Sequence, residues 1–185
     1  MKEVIVFGGS GFLGSYVADE LTRRGFDVVI ADLHESKYIQ GKQKFKKVDV
    51  FNIEEISKII KTASVVYNFS AVAELEEAIE NPIRTFQVNV LGNLNILEAC
   101  KKADSIERFV YASSAYALSN EGSFYGISKQ SSEKLTQEYF KKYGLKYTVI
   151  RYGSLYGERA SHNNYIYNLL RDAIQSGELL YKKGN

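Results

Sequence analysis

The stretch VFGGSGFLGSYVADEL, residues 6 to 21, places four glycines between an apolar run and an amphipathic pattern. Gly8, Gly11 and Gly14 follow a predicted strand directly, and the residues after them repeat at a helical period. Glycine costs conformational entropy, so the backbone here must either turn sharply or be approached closely by another group. The spacing predicts a strand, loop and helix whose bare main chain faces a phosphate.

Short β-branched runs alternate with helical patterns along the whole chain. Strands are predicted at 3–8, 27–32, 45–50, 64–70, 108–114 and 146–152, and helices at about 11–24, 53–61, 83–103, 125–143 and 163–176. Continuous apolar strands separated by helices are typical of a parallel sheet covered on both faces. The sequence therefore predicts an α/β fold with a doubly wound parallel sheet.

Composition narrows the classes of function. A length of 185 residues suits one core, a net charge of +2 gives no strong field for nucleic acid or membrane, and one cysteine excludes a disulfide framework. The first apolar run is too short for a signal peptide or a membrane span. We expect a cytoplasmic protein with no nucleic-acid partner, no membrane partner and no metal site.

Two acidic residues close predicted strands. Asp32 ends the second strand, where a carboxylate accepts hydrogen bonds from an adenosine ribose and repels a 2′-phosphate, which favours NAD over NADP. The alternative for Asp32 is a solvated carboxylate at a strand end. Asp49 closes the third strand and is placed to reach an adenine edge, and its alternative is a turn or N-cap before the next helix.

A serine, a tyrosine and a lysine form a second constellation. Tyr125 and Lys129 lie four residues apart in a predicted helix and share a face. The strand before them ends in ASSA, which brings Ser113 and Ser114 to the carboxyl edge of the sheet. A nearby ammonium lowers the pKa of a phenol and makes it a usable general base. The alternative is an ordinary pair of surface residues.

In their order, these motifs resemble the extended short-chain dehydrogenase/reductase family, and particularly its NAD-dependent nucleotide-sugar epimerase/dehydratase branch. The resemblance covers nearly all of the chain and is carried by GGSGFLG, Asp32, DV at 49–50, NFSA at 68–71, NPIRTFQVNVLGNLNILEA, FVYASSA, YGISK and RYGSLYG. It implies a Rossmann fold. It also implies an NAD site made of Gly8, Gly11, Phe12, Leu13, Gly14, Asp32, Asp49, Val50, Phe69, Ser70, Ala71, Asn89, Tyr125 and Lys129.

The resemblance also implies the catalytic group. Tyr125 would accept the proton of a sugar hydroxyl while hydride leaves for NAD, Ser114 would orient the oxygen, and Lys129 would lower the phenol pKa and bind the nicotinamide ribose. Ser113 and Ser154 are candidate substrate contacts. For Asn89, the alternative is an asparagine that ties a helix to the neighbouring loop. A nucleotide sugar is the expected substrate, and helices at about 83–103 and 125–143 are expected to form a homodimer.

Three departures from the branch bear on the reaction. Ala115 and Tyr116 stand where 4,6-dehydratases carry acids, only ten residues separate Ser114 from Tyr125, and Ser154 replaces an asparagine common in relatives. These features favour a 4-epimerase that works through a transient keto-sugar. The alternatives are an NAD-dependent sugar or carbonyl reductase and a non-catalytic dinucleotide-sensing protein, although the retained serine, tyrosine and lysine argue against the last.

One NAD-binding Rossmann domain is expected over residues 1–185, with about 157–185 as the beginning of a substrate-binding lobe. Relatives continue into a larger C-terminal lobe, so we expect this lobe to be missing or truncated here. The chain alone would then bind NAD but turn substrate over poorly.

Overall fold

The computed structural model describes residues 1–160 and 164–178. Six parallel strands form one sheet in the order β3-β2-β1-β4-β5-β6. They are β1 Glu3–Phe7, β2 Asp27–Asp32, β3 Lys44–Lys47, β4 Val65–Asn68, β5 Arg108–Ser114 and β6 Tyr147–Tyr152. The strand order reverses between β1 and β4, and this reversal opens a crevice at their carboxyl ends. The predicted doubly wound, Rossmann-like α/β fold is confirmed.

Helices connect the strands. They are α1 Phe12–Arg23, α2 Ile53–Ile60, α3 Leu75–Glu80, α4 Pro82–Phe86, α5 Asn93–Lys102, α6 Ser123–Tyr143 and α7 Tyr165–Ser176. Pro82 lies in the first turn of α4, where its missing N–H costs nothing. A 3₁₀ turn spans Ala115–Leu118. The predicted start of the last helix at 163 and the final residues 179–185 lie outside the described residues.

The single helix predicted at 83–103 is divided in the structure. A π-helical segment, Gln87–Gly92, separates α4 from α5, and α3 precedes them as a helix that the sequence pattern does not predict. The buried Asn89 side chain leaves the helix to bond both backbone groups of Val72, so tertiary contacts override the regular period. Widened turns of this kind are frequent at functional sites.

Strand alternation builds two cores, one on each face of the sheet. Ile5 and Phe7 of β1 pack with α2, α5 and α6, whereas Val4 and Val6 pack with α1 on the opposite face. Because successive side chains of a strand point to opposite faces, every central strand must be apolar throughout. β3 is a short edge strand rich in lysine, which protects the edge from pairing with another chain.

The chain divides into two compact units, Met1–Tyr152 and Gly153–Asn185. The whole sheet belongs to the first unit. The second contains α7, which begins at an Asn164 cap that accepts a hydrogen bond from the Tyr167 amide and ends at Gly177. The predicted substrate-binding lobe from about residue 157 stays a prediction.

The turn between β1 and α1 leaves no room for a side chain at Gly8 or Gly14. Gly8 has a φ of +69°, and a Cβ there would lie 2.6 Å from the backbone of Phe69 and Ser70 at the end of β4. A Cβ on Gly14 would lie 2.3 Å from the Gly8 carbonyl oxygen. These glycines therefore set the distance between α1 and the crevice.

Gly14→Ala should destabilise the fold, because the added methyl collides with main chain that cannot move without shifting α1. We expect the free energy of unfolding to fall by about 1–3 kcal/mol, the usual cost of overpacking. Urea unfolding followed by circular dichroism measures it. Gly153→Ala is the matched control, since nothing lies within 4 Å of a Cβ there. Equal stability of both variants would contradict this account.

Candidate active site

The glycine loop presents backbone donors at the start of α1. No side chain caps this helix at Gly11, whose own N–H donates to the Gly8 carbonyl oxygen at 3.1 Å. Gly11 is exposed, and the nearest protein atom to a Cβ there would be that carbonyl oxygen, at 3.3 Å. The amides of the first turn and the partial positive charge of the helix end are therefore available to an anion that approaches Gly11, Phe12 and Leu13.

Asp32 lies beside this loop, as the sequence predicts. Its carboxylate accepts hydrogen bonds from the Ser10 amide at 3.0 Å and the Leu33 amide at 2.7 Å. The Ser10 hydroxyl donates to the His34 carbonyl oxygen at 2.6 Å, so the loop and the end of β2 are joined twice. An ionised carboxylate has about four acceptor positions, which leaves capacity for a ribose hydroxyl.

An open cavity of about 700 Å³ adjoins the ends of β2 and β3. It is lined by Leu33, Lys47, Asp49, Phe51, Asn52, Ile53, Glu54 and Glu55. The Asp49 carboxylate lines this cavity and also accepts from the Phe51 amide at 2.9 Å, so the turn role is observed. Asn52, one turn later, is the actual cap of α2 and accepts from the Glu55 amide. Val50 packs against Gly92.

The end of β4 forms the other wall of the crevice. Phe69, Ser70 and Ala71 are half-buried, and the Ser70 amide donates to the Asn68 side chain at 3.0 Å. Asn89 bonds Val72 twice, at 2.8 and 3.1 Å, and donates to the Ser128 hydroxyl at 2.9 Å. The tying role of Asn89 is thus observed, and contact of Asn89 and the residues around Phe69 with a dinucleotide stays a prediction.

Ser114, Tyr125 and Lys129 come together at the end of β5. The Ser114 hydroxyl lies beside Tyr125 and favours the ionised form of its phenol, and Ser114 Oγ accepts a hydrogen bond from the Tyr116 amide at 3.2 Å. Lys129 is buried, with its Nζ 5.7 Å from the centroid of the Tyr125 ring. This ammonium donates to the Ala112 carbonyl oxygen at 2.8 Å.

The electrostatics of this group differ from the sequence-based expectation of a lowered phenol pKa. Burial raises the pKa of Tyr125, the Ser114 hydrogen bond opposes that rise, and the charges of Glu74 and Tyr116 add to it. Burial also lowers the pKa of Lys129 from 10.5 to about 8. Because desolvation disfavours both charged forms, the site holds a neutral phenol beside an ammonium that is readily deprotonated.

Ser113 is buried beside the predicted site. Neighbouring residues of a strand face opposite sides, and the Ser113 hydroxyl donates a hydrogen bond to Glu133 at 2.5 Å. Its contact with substrate stays a prediction. Ser154 is exposed and lies in the second unit, so its proposed contact with substrate stays a prediction.

Sequence reasoning missed several partners of these residues. Glu133 follows Lys129 by four residues, and Lys129 follows Tyr125 by four. The helical period alone therefore predicts that all three lie on one face of α6. Glu74 and the Tyr116 ring, which meets the Tyr125 ring edge-on at 6.4 Å, carry no comparable signal because they come from other elements.

Within residues 1–160 and 164–178, no helix is long and apolar enough to cross a membrane. In the same ranges, no three histidine, cysteine, aspartate or glutamate residues gather in a way that could hold a metal ion.

Comparison with known proteins agrees with this geometry. The sequence model of the NAD dependent epimerase/dehydratase family matches residues 4–185. A candidate UDP-glucose 4-epimerase of Methanocaldococcus jannaschii is 33% identical over 174 residues, which cover 84% of this chain and 57% of that protein.

Solved structures give the same result. UDP-glucose 4-epimerase of Thermotoga maritima, solved with UDP-glucose, superposes with a TM-score of 0.87 at 25% identity, covering 99% of this chain and 66% of that one. UDP-glucose 4-epimerase of Thermus thermophilus, solved with NAD, gives 0.82 at 30% identity, covering 92% and 61%. The chain thus spans somewhat less than two thirds of these relatives.

Lys129→Met should change how stability depends on pH. The pKa of Lys129 is about 8 when folded and near 10.5 when unfolded, so the unfolded chain binds the extra proton between these values. From pH 8 to 10 the wild type should therefore gain about 2 kcal/mol relative to the variant, measured by urea unfolding at each pH. The exposed Lys134→Met on the same helix is the control. A constant difference across this range would refute the shift.

Proposed function

Because the chain belongs to the NAD dependent epimerase/dehydratase family, we propose that it binds NAD and forms the catalytic core of an enzyme that inverts C4 of a UDP-hexose. One observation carries the proposal. The uncapped glycine loop, the Asp32 carboxylate and the neighbouring Ser114 and Tyr125 side chains all belong to the carboxyl edge of one parallel sheet. Ligands of such sheets bind at this edge, where the strand order reverses.

The residues present fit NAD. Gly11 is exposed, and apart from the Gly8 carbonyl oxygen at 3.3 Å nothing in the protein crowds a Cβ there, so its bare main chain is open to a group that approaches from outside. The amides of Phe12, Leu13 and Gly14 suit a pyrophosphate, and Asp32 suits an adenosine ribose. The cavity of about 700 Å³ beside Asp49 is roomy enough for an adenine. We assign Lys129 to the nicotinamide ribose.

In this proposal, side chains of the protein accept a proton and later return it. When bound, NAD supplies the hydride acceptor and a positive charge on its nicotinamide ring. Tyr125 would act as a phenolate, after losing its own proton to solvent: it would take the proton of the sugar hydroxyl on its phenol oxygen and later return it. Ser114, beside Tyr125, would orient that hydroxyl, and the Lys129 ammonium would offset the charge of the phenolate.

Epimerisation is favoured over dehydration by the residues after the catalytic hydroxyl. Ala115 and Tyr116 follow Ser114, and neither supplies a carboxylate to protonate a leaving hydroxyl. The relatives named above are UDP-glucose 4-epimerases, and this supports a UDP-hexose as the substrate class. We propose that the second unit, from Gly153, begins the lobe that binds the nucleotide of this substrate.

A homodimer accompanies this proposal. An open groove of about 650 Å³ is lined by Pro82, Ile83, Phe86, Gln87, Val90, Leu91, Leu94, Phe124 and Ile127, of which only Gln87 is polar. Two of these apolar side chains are largely exposed to solvent: Ile83 is 76% exposed and Ile127 is 53% exposed. A second copy of the chain, packed through the same face about a twofold axis, would bury this surface symmetrically.

NAD binding is the first test. Isothermal titration of the chain with NAD should show one site, and Gly11→Ala should weaken it by at least about tenfold because the methyl stands where the pyrophosphate approaches. Gly153→Ala, which adds a methyl to open space, should bind as the wild type does. Failure of the wild type to bind NAD would overturn the proposed function.

The reaction is tested with UDP-glucose and NAD, using the longest form of the protein that can be expressed. UDP-galactose should appear without net NADH, and Tyr125→Phe should slow its formation by about 10²–10⁴-fold. Stoichiometric formation of NADH from the added NAD would instead identify an enzyme of the reductase class, working in the oxidative direction. NAD binding without turnover would identify a non-catalytic protein.

The dimer is tested by charge insertion. Ile83→Glu should yield monomers in analytical ultracentrifugation, because a carboxylate cannot be buried unpaired at an apolar interface. Ile79→Glu is the matched control, since Ile79 is 54% exposed on α3 and does not line the groove. A monomeric wild type, or a dimer that survives Ile83→Glu, would contradict the assignment.

A further inference from the structure

An ionic network centred on the buried Glu133 carboxylate lies next to the proposed catalytic side chains. The Glu133 side chain on α6 is only 6% exposed and is met by donors from two strands. Ser113 Oγ of β5 donates to Glu133 Oε1 at 2.5 Å. Arg151 of β6 donates to the same carboxylate through Nε at 2.8 Å and Nη2 at 2.7 Å. One carboxylate therefore joins α6, β5 and β6.

The network sits next to the proton-accepting pair in the chain. Ser113 precedes Ser114 directly in β5, and it is paired in register with Arg151 of β6. Glu133 lies two helical turns after Tyr125 on α6. The strand residue beside Ser114 and the helix that carries Tyr125 are thus fixed to one another by the same carboxylate.

Stability alone is a weak reason for such an arrangement. Burial of the Glu133 carboxylate costs desolvation free energy, and the side chain of its partner Arg151 is 40% exposed, so water screens the attraction between them. Burial opposes the ionisation of Glu133, and the bonds from Arg151 and Ser113 outweigh it, so the pKa of this carboxyl lies below its ordinary value. The carboxylate is therefore charged at neutral pH and holds both donors.

We propose that Glu133 is a positioning residue for the proton acceptor: by fixing Ser113 and Arg151, it holds the Ser114 hydroxyl beside the Tyr125 hydroxyl. The inference rests on the proposed function, since it takes Tyr125 as the acceptor. Its test needs neither NAD nor a sugar, so its failure is distinguishable from failure of the proposed function.

The sign of the effect separates positioning from simple electrostatics. The Ser114 hydrogen bond lowers the pKa of Tyr125, so displacement of Ser114 raises it. Loss of the negative charge of Glu133 would act in the opposite direction, because a nearby anion disfavours a phenolate. Glu74, Tyr116 and Lys129 also surround Tyr125, and they stay unchanged in the variants below. Glu133 itself faces Arg151, Ser113 and Tyr111.

The experiment titrates position 125 directly. A ring-fluorinated tyrosine is placed at this position alone, which makes the phenol more acidic and brings its titration into a range where the fold persists. The ¹⁹F chemical shift is then followed against pH in the otherwise unaltered chain and with Glu133→Gln. We expect Glu133→Gln to raise the phenol pKa by about 0.5 to 1, as loss of one hydrogen bond would.

Two further variants test the route of the effect. Ser114→Ala should give a similar rise, and the double variant Ser114→Ala with Glu133→Gln should rise no further, because both changes remove one contact. Ser113→Ala should also raise the pKa of Tyr125. This variant replaces Glu133→Gln in the experiment if thermal unfolding shows that Glu133→Gln does not fold. Glu138→Gln, an exposed acid on the same helix, is the matched control and should change nothing.

Each outcome decides the proposal. A rise with Glu133→Gln that is absent in the Ser114→Ala background supports positioning through Ser114. A fall in the phenol pKa shows a purely electrostatic effect and overturns the proposal. An unchanged pKa in a variant that unfolds at a lower temperature shows that Glu133 only stabilises the fold, and this also overturns it. If the two substitutions raise the phenol pKa additively, Glu133 acts on Tyr125 independently of Ser114, and this result also overturns the proposal.

Discussion

The close main-chain approach between the β1–α1 turn and the end of β4 is the constraint on which the site depends. Gly8 adopts a left-handed backbone conformation and lies against Phe69 and Ser70. Gly14 allows α1 to pack closely against the Gly8 carbonyl oxygen. The same turn supplies the Ser10 amide that holds Asp32. A helix end, a strand end and a carboxylate are thus fixed together by packing that tolerates no Cβ.

The far side of the crevice depends on the two faces of β5. Ser114 faces Tyr125, and Ser113 faces Glu133 in the opposite direction. This alternation lets one strand present a hydroxyl to the reaction and anchor itself through the next residue. Burial raises the pKa of Tyr125 and lowers that of Lys129 to about 8, so at neutral pH the buried Lys129 ammonium is the charge beside a neutral phenol. A bound cation would therefore affect the phenol strongly, since little water screens it.

The segment between α3 and α6 combines an inner and an outer role. Its π-helical turn directs Asn89 inward, where the side chain ties the loop after β4 to Ser128 on α6. The outer side of the same segment carries Ile83 and Leu91 into the apolar groove. The surface proposed to pair two chains and the residues that hold the crevice therefore belong to the same helical segment.

The sequence by itself determined the α/β class, the six strands, the glycine loop with Asp32 and the helix that carries Tyr125 and Lys129. Each of these is set by local chemistry: apolar periodicity, glycine at a tight turn, and i to i+4 spacing on a helix. Tertiary structure alone decided the break around Asn89, the separation of Ser113 from Ser114, and the raised rather than lowered pKa of Tyr125. These depend on which distant groups meet in three dimensions and on how much water they exclude, and neither quantity is written in the spacing of residues along the chain.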